Sequence, residues 1–345
     1  MQATDNTATV SFYKYPPVGG DDWRYAFAAA KVRGLETQML SRATLVDLAN
    51  APDFASALEL LSSTEYALPA GTKDFAQVEQ MLLDRRAELR KLFANLMQDE
   101  ELVQLLKQRD DFANLRLALR RQLTEKPIGV DYSNHGSIPA DEFQLIFEHE
   151  DYAPLPEYMQ QAIEDAVLAY YADKNIREID FSLDASQAHY KISMAHQLQS
   201  EFLESLFRIQ VDILNIKTML RLKFTESERR DVFVEGGFVD IDRFKHCLDL
   251  GYEAIPPIFF STPYYEIIDS GVSYLMSSRS FLKLEANTDK YISEFLKQTT
   301  QITAGPQPVI AYLLLKESEI RTVRLILTAR KNNLQTRLIL DRIGE

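Results

Sequence analysis

One segment of this chain occurs three times, and this repetition limits the folds that the chain can adopt. The copies read DDFANLRLALRR, VDILNIKTMLRL and SEIRTVRLILTA, and they align without gaps on Asp111, Asp212 and Glu319. These three anchor positions lie 101 and 107 residues apart. Because self-similarity at a nearly fixed spacing is the signature of a repeat architecture, the chain is predicted to contain three structurally equivalent units.

Each copy has the pattern of an amphipathic helix. Large apolar residues stand one, four and eight positions after the anchor in all three copies. At 100° per residue these positions fall within a sector of about 60°, so they form one apolar stripe on a helix. We therefore expect Leu119, eight positions after Asp111, to lie in the core. The substitution Leu119→Ala should lower the free energy of unfolding by ~2–5 kcal/mol.

Polar residues flank the stripe on both sides. The anchor acid and the Asn or Thr three positions later lie at one edge, and the bases five and nine positions later lie at the other. We predict that these side chains fix how neighbouring helices meet, either inside a wall of helices or along a surface that receives a partner. The candidate residues are Asp111, Asn114, Arg116, Arg120, Asp212, Asn215, Lys217, Arg221, Glu319, Thr322 and Arg324.

The repeat extends beyond these helices. Gly136 and Gly237 each stand 25 residues after their anchors, and STEY (Ser63 to Tyr66) resembles STPY (Ser261 to Tyr264). A middle copy of this second element is not evident. The predicted organisation is an irregular N-terminal extension over 1–20, followed by helical repeats over 21–125, 126–228 and 229–345.

Composition favours an all-α fold and argues against a nucleic-acid partner. The 345 residues include only 12 glycines and 13 prolines, and amphipathic stretches dominate. The net charge is −13, whereas binding to phosphates needs a positive surface. The charge is unevenly distributed: Asp141 to Asp165 holds eight acids and no Lys or Arg, while Lys316 to Arg342 holds seven bases and three acids.

Other features set the expected compartment and surroundings. Cys247 is the single cysteine, so no intramolecular disulfide can form, which is consistent with a reducing compartment. The longest apolar runs, such as Val309 to Leu315, are shorter than the ~20 residues needed to cross a bilayer. We therefore expect a chain without a transmembrane segment of its own.

Sequence signatures of catalysis are missing, with one exception. There is no GxxxxGK[ST] phosphate loop, and the five histidines have no zinc-binding spacing. Asp110 and Asp111, followed by Asn114, resemble the aspartate-rich magnesium–diphosphate site of terpenoid synthases, because acids on one helical face can chelate magnesium. Against this alternative, Val211 stands before Asp212 and no companion motif is present. We predict no catalytic, cofactor or metal site.

The repeated phrase D-x-x-N-[LI]-[RK]-x-x-L-[RK] and its third variant E-x-x-x-V-R-x-x-L resemble the C subunit of the archaeal and bacterial A-type (V-type) rotary ATPase. The eukaryotic counterpart is the d subunit of the V-type ATPase. The sequence departs from the family pattern at Lys31, where arginine is expected, at Thr322, where asparagine is expected, and in the extra residues 1–20. Further matching segments are Tyr25 to Glu36, Leu60 to Tyr66, Gly236 to Phe244 and Lys316 to Leu327.

This resemblance implies a funnel of three helical repeats with approximate threefold symmetry. It implies a non-catalytic rotor subunit on the cytoplasmic side of the membrane proteolipid ring, whose central cavity receives a central shaft formed by the D and F subunits. The function would be torque transmission during ion transport, without cofactor, metal or small-molecule substrate. The alternative is a helical-repeat scaffold of an unrelated soluble complex.

Overall fold

The computed structural model describes residues 9–69, 74–127 and 131–345, and over these ranges the prediction of an all-α fold is confirmed. No strand occurs among the described residues; one short 3-10 segment precedes the first helix and two others lie between helices. The α-helices are α1 (Ala26–Glu36), α2 (Arg42–Asn50), α3 (Phe54–Leu60), α4 (Phe75–Leu96), α5 (Glu100–Leu123), α6 (Ala140–His149), α7 (Glu157–Asp173), α8 (Ile176–Gln197), α9 (Glu201–Phe224), α10 (Ile241–Asp249), α11 (Ile255–Ile258), α12 (Tyr265–Ser278), α13 (Leu282–Lys297), α14 (Pro306–Lys331) and α15 (Thr336–Ile343).

Contacts between helices divide the chain into two compact units. The first, here called the middle unit, comprises Asp99–Gly251 and, from the described N-terminal residues, Thr9 and Val10. The second, here called the terminal unit, combines Ser11–Gln98 with Tyr252–Glu345. The first predicted repeat, 21–125, therefore contributes helices to both units. The repeat boundaries and the funnel remain predictions.

The middle unit is built on a hairpin of two helices, α7 and α8. Helix α8 also packs against α5 and α9, and α10 packs against α9. Between α5, α6, α7 and α8 lies a core in which rings and branched side chains interlock. Its fully buried members include Phe112, Leu115, Leu119, Phe143, Met159, Ile179 and Leu183.

In the terminal unit, the long helix α14 is the central element. It contacts α1, α2, α3 and α4 from the N-terminal part of the chain and α13 from the C-terminal part. The last helix, α15, packs against α13 and α2. The N-terminal and C-terminal segments therefore share one core.

From Ser11 onward the N-terminal extension is irregular, and it lies against the terminal unit. Tyr15 packs on the rings of Tyr291 and Phe295, and its hydroxyl donates to Glu294 at 2.6 Å. Asp21 accepts hydrogen bonds from two backbone N–H groups just before α14. These contacts fix the path of the chain into α1.

The three anchors lie on α5, α9 and α14, and the predicted apolar stripe is buried in each copy. Leu119, which the stripe places in the core, is fully buried. Burial of a large apolar side chain contributes roughly 1.5–3 kcal/mol, so the stripes account for much of the stability of these helices. The nine buried stripe residues are Phe112, Leu115, Leu119, Ile213, Ile216, Leu220, Ile320, Val323 and Leu327.

The three anchor helices also end in the same way. Each ends 12 residues after its anchor, and the residue 14 positions after the anchor is left-handed: Glu125, Glu226 and Asn333, with φ of 55°, 51° and 52°. In all three, the backbone N–H of the residue after the left-handed one donates to the carbonyl five positions earlier, which is the hydrogen bond of a Schellman motif. The repetition therefore includes the backbone of the helix ends, where no glycine marks it in the sequence.

Candidate functional site

The anchor acid on α5 holds the loop that leads to α6. The Asp111 carboxylate, which is buried, accepts hydrogen bonds from the Ser137 N–H at 2.6 Å, the Ser137 hydroxyl at 2.8 Å and the Tyr158 hydroxyl at 2.7 Å. One turn later, Asn114 accepts from the Ser133 N–H at 2.8 Å and donates to the Ser133 carbonyl at 3.0 Å. Together the two side chains supply hydrogen-bond partners to polar groups of Ser133 and Ser137, which are half-buried in the loop.

The anchor acid on α9 makes the same arrangement with the loop before α10. Asp212 accepts from the N–H groups of Phe238 and Val239, each at 3.0 Å. Asn215 accepts from the Val234 N–H at 2.9 Å and donates to the Val234 carbonyl at 2.8 Å. The loop residues follow their helix partners by 26 and 19 positions in both copies. We call each such arrangement a carboxylate clamp.

The repeated glycines belong to these clamps. A Cβ at Gly136 would fall inside van der Waals contact with Asp111 Oδ1, and a Cβ at Gly237 would do the same with Asp212 Oδ1. Neither glycine has a positive φ. Glycine is therefore needed here because the loop backbone approaches the carboxylate closely.

The anchor on α14, Glu319, binds loops from the N-terminal part of the chain. Glu319 accepts from the Leu40 N–H at 2.6 Å and from the Tyr66 hydroxyl at 2.7 Å. It also forms an ion pair with Lys316, one turn earlier on α14, and Lys316 pairs in addition with Glu65. Lys316 and Glu319 are both buried, so the third clamp has an ionic centre.

Thr322 does not take over the role of asparagine in the third clamp. Its hydroxyl donates at 2.9 Å to the carbonyl of Ser318 on the same helix. The backbone contact to Leu40 comes from the glutamate, whose side chain is one methylene longer than that of aspartate. The departure from asparagine at this position therefore has a structural counterpart: the third copy keeps the acid and omits the amide contact.

A tyrosine hydroxyl completes two of the clamps, from the buried Tyr66 and the half-buried Tyr158. Tyr66 donates to Glu319 and Tyr158 donates to Asp111. Burial and the neighbouring carboxylate raise the pKa of both hydroxyls well above the usual range, so they remain protonated donors. Tyr158 therefore does in the middle unit what Tyr66 does in the terminal unit. Its segment, LPEY, shares only the last two residues of STEY, which is why the sequence comparison did not find it.

The resemblance between STEY and STPY corresponds to one turn structure. The Thr64 hydroxyl donates to the Leu61 carbonyl and accepts from the Tyr66 N–H. Thr262 makes the same two bonds, with the Phe259 carbonyl and the Tyr264 N–H. These are side-chain-stabilised turns of the kind that serine and threonine favour.

Three of the candidate bases form ion pairs with acids on neighbouring helices. On α5, Arg116 pairs with Asp184 and Asp180 of α8, and Arg120 pairs with Asp180. Burial raises the pKa of Asp184, and the charge of Arg116 opposes this effect. On α14, Arg324 pairs with Glu79 of α4 at 2.9 Å. On α9, Lys217 is half-buried and Arg221 is exposed.

The magnesium-site alternative conflicts with the geometry of α5. Asp111 uses both carboxylate oxygens in its clamp, Asn114 is bonded to Ser133, and Asp110 accepts from the Ser133 hydroxyl at 2.9 Å. Metal ligands need free oxygens that converge on one point. Among the described residues, no group of three His, Cys, Asp or Glu side chains is arranged to hold a metal ion.

None of the described helices is both long and apolar enough to cross a membrane.

Comparison with known proteins assigns the chain to a family. Residues 28–342 match the ATP synthase (C/AC39) subunit family. The chain is 22% identical over 322 residues to the C subunit of the V-type sodium ATPase of Enterococcus hirae, covering 91% of this chain and 96% of that protein. It is 22% identical over 348 residues to the C subunit of the A-type ATP synthase of Methanococcoides burtonii, covering 94% and 95%. The corresponding protein of Methanocaldococcus jannaschii is 21% identical over 338 residues, covering 90% and 84%.

Proposed function

This chain belongs to the ATP synthase (C/AC39) subunit family, and on that premise we propose that it is a non-catalytic central-stalk subunit of a V/A-type ion-translocating ATPase. In this role it couples the central shaft, formed by the D and F subunits, to the membrane proteolipid ring on the cytoplasmic side. Torque passes through it between the shaft and the ring. The observation that carries the proposal is the extent of the family match, which includes all three anchor helices.

The clamps suit a protein that carries a mechanical load. Each one ties a loop to a long helix through a buried carboxylate rather than through an exposed side chain. Hydrogen bonds to a buried charged group contribute about 1.5–3 kcal/mol each, roughly twice the value for neutral pairs. A loop that is held in this way moves with its helix, so force applied to the loop reaches the helix with little deformation.

Repetition of the clamp supports the proposed funnel. The three anchor helices share their buried stripe, the distance to their C-terminus and the left-handed residue that follows. Equivalent helices with equivalent loop contacts can surround an axis, which leaves a central space for the shaft. A hollow adapter with a broad base joins a narrow shaft to a wide ring.

The bases of the repeat act inside the proposed wall. Arg116 and Arg324 form ion pairs with acids of neighbouring helices, and each pair lies within one compact unit. Charge reversal of both residues should lower the melting temperature and leave the affinity for the shaft unchanged. Loss of shaft affinity without a change in melting temperature would instead place these residues on the shaft contact.

Reconstitution tests the function directly. The purified chain would be combined with the catalytic head, the D and F subunits, and the proteolipid-containing membrane sector in lipid vesicles. ATP-driven ion uptake should require the chain, whereas ATP hydrolysis by the head alone should not. Full coupling in its absence would refute the proposal. Stable assembly of the chain with an unrelated soluble complex, and with neither the shaft nor the ring, would favour the scaffold alternative.

A further inference from the structure

Helix α1 presents an exposed face that the described part of its own chain does not cover. Trp23 and Phe27 are 69% and 76% exposed, although large aromatic side chains are usually buried on at least one side. Phe27 lies on α1, as do the exposed residues Ala30, Lys31 and Gly34, and Trp23 lies in the 3-10 segment directly before this helix. We call these five residues the outer face of α1.

The outer face is one continuous surface. Phe27, Ala30, Lys31 and Gly34 fall within an arc of about 100° on the helix, and Trp23 opens the 3-10 segment that leads directly into it. The opposite side carries the buried residues Ala28, Ala29 and Val32. Helix α1 packs against α14 within the terminal unit, and the outer face takes no part in burying this core. The exposed aromatic residues form a second apolar surface.

Gly34 provides independent evidence of a partner. Glycine is among the least favourable residues inside a helix, and Gly34 lies within α1 without a positive φ. A Cβ added at Gly34 would meet no atom within 4 Å, unlike one at Gly136 or Gly237. Nothing in the described part of the chain therefore calls for glycine at this position. Close approach of another backbone from outside would account for it.

The charge on this face indicates the chemistry of the partner. Lys31 forms no ion pair with any described residue, whereas Arg24 is bonded to Asp22 and Arg33 to Glu36. The outer face is therefore apolar and carries one cation that lacks a counter-ion among the described residues. A partner that buries it must offer a carboxylate, because a buried charge without a counter-ion is strongly unfavourable.

We propose that the outer face of α1 binds an α-helical segment of a partner protein, with an apolar strip and a carboxylate opposite Lys31. The partner helix passes close over Ala30 and Gly34, while Trp23 and Phe27 lie against its side chains. Aromatic residues of this kind dominate the energy of many protein interfaces, and an amphipathic helix is a common occupant of such a surface. The inference rests on the proposed function, which supplies the rotor subunits as the candidate partners.

The single tryptophan allows a direct test. With 5-fluorotryptophan incorporated, the full-length chain has one ¹⁹F resonance, which reports on Trp23 alone. The probes are the purified complex of the D and F subunits and the detergent-solubilised proteolipid ring, added separately. One of them should shift this resonance and reduce the access of a soluble paramagnetic agent to it.

Variants at two positions distinguish the proposed contact from a change in folding. Gly34→Leu should keep or raise the melting temperature, because leucine favours the helix and meets no neighbour, yet it should weaken binding of the same probe by at least about tenfold. Lys31→Glu should weaken binding, and Lys31→Arg should retain it. The matched control is Gly251→Ala, at another glycine where an added Cβ meets no atom; it should leave the affinity unchanged.

The outcomes separate this inference from the proposed function. If the wild-type chain binds a probe while the Trp23 resonance and the affinity of Gly34→Leu stay unchanged, the outer face is not the interface and the proposed function stands. If the wild-type chain binds neither probe, the proposed function itself fails. A shift caused by self-association, or by phosphatidylcholine–phosphatidylglycerol vesicles alone, would also overturn the assignment of a partner helix.

Discussion

The close contact between Gly237 and the Asp212 carboxylate predicts that substitutions at these two positions are strongly coupled. A Cβ at position 237 would fall inside van der Waals contact with Asp212 Oδ1 and would touch Val211 at 3.4 Å. Because Gly237 has no positive φ, Gly237→Ala is opposed by this steric contact and not by backbone conformation. The carboxylate must therefore move if the methyl group is to fit.

The expected magnitudes follow from the hydrogen bonds. Asp212→Ala leaves the buried N–H of Val239 and the half-buried N–H of Phe238 without this acceptor, at about 1–3 kcal/mol for the first and less for the second, or ~2–4 kcal/mol in all. Gly237→Ala pushes the carboxylate away from the same two donors and should cost ~2–4 kcal/mol. Once Asp212 is alanine the obstruction is gone, so adding Gly237→Ala should cost less than ~1 kcal/mol. The coupling energy is the difference between these two costs of Gly237→Ala, ~1–4 kcal/mol.

The assay is urea unfolding of the wild type, both single variants and the double variant, followed by far-UV circular dichroism. Hydrogen exchange in α9 and α10 assigns the transition to the middle unit, because the chain has two compact units. Gly251→Ala is the control for a glycine without a neighbour and should change the free energy of unfolding by less than ~1 kcal/mol. Additive effects, within ~0.5 kcal/mol, would refute the steric explanation of the glycine.

Three further predictions concern single side chains. Lys316→Met should lower the free energy of unfolding by ~3–5 kcal/mol, because it leaves the carboxylates of Glu65 and Glu319 without their cation. Arg324→Met is the control and should change it by less than ~1 kcal/mol, because the Arg324 side chain is 60% exposed. Equal effects of the two substitutions in chemical denaturation would contradict the ionic third clamp. Burial, with Arg109 adding to it, lowers the pKa of Lys191 to about 8. Between pH 8 and the usual lysine pKa, Lys191 binds more protons in the unfolded chain than in the native one, so this side chain contributes a rise in stability with pH across this range. Lys191→Met should remove that contribution and stabilise the protein by about 1–2 kcal/mol at pH 7; identical pH profiles of the wild type and the variant would argue against a desolvated ammonium at this position. Burial raises the pKa of the Cys247 thiol to about 12, so its reaction with a disulfide reagent should be slow in the native protein and should accelerate with urea; rapid labelling without denaturant would contradict this.

Much of the fold followed from local sequence patterns. The apolar stripe was predicted from spacing alone, and all nine stripe residues are buried. Spacing suffices here because a helix places residues three and four apart on one face whatever surrounds it. The anchor acids and both asparagines were likewise identified from the repeat, although their partners were not. Tyr158 was missed because its contact with Asp111 depends on how α7 packs, and the neighbouring residues do not repeat.

The third clamp shows where sequence spacing stops being sufficient. Gly344 stands 25 residues after Glu319, as Gly136 and Gly237 stand after their anchors, but the atoms nearest to its Cβ position belong to Ala286 and Arg42. Leu40, which precedes Glu319 by 279 residues, supplies the loop contact instead.

The sequence by itself determined that three amphipathic helices recur, which side of each is buried and which acids stand beside the stripe. These properties depend on residues within a few turns of one another. Only the tertiary structure decided which loop each acid holds, and that the N-terminal segment supplies the partner of the last anchor helix. A hydrogen bond forms wherever the folded chain brings a donor within about 3 Å of an acceptor, and distance along the sequence does not enter.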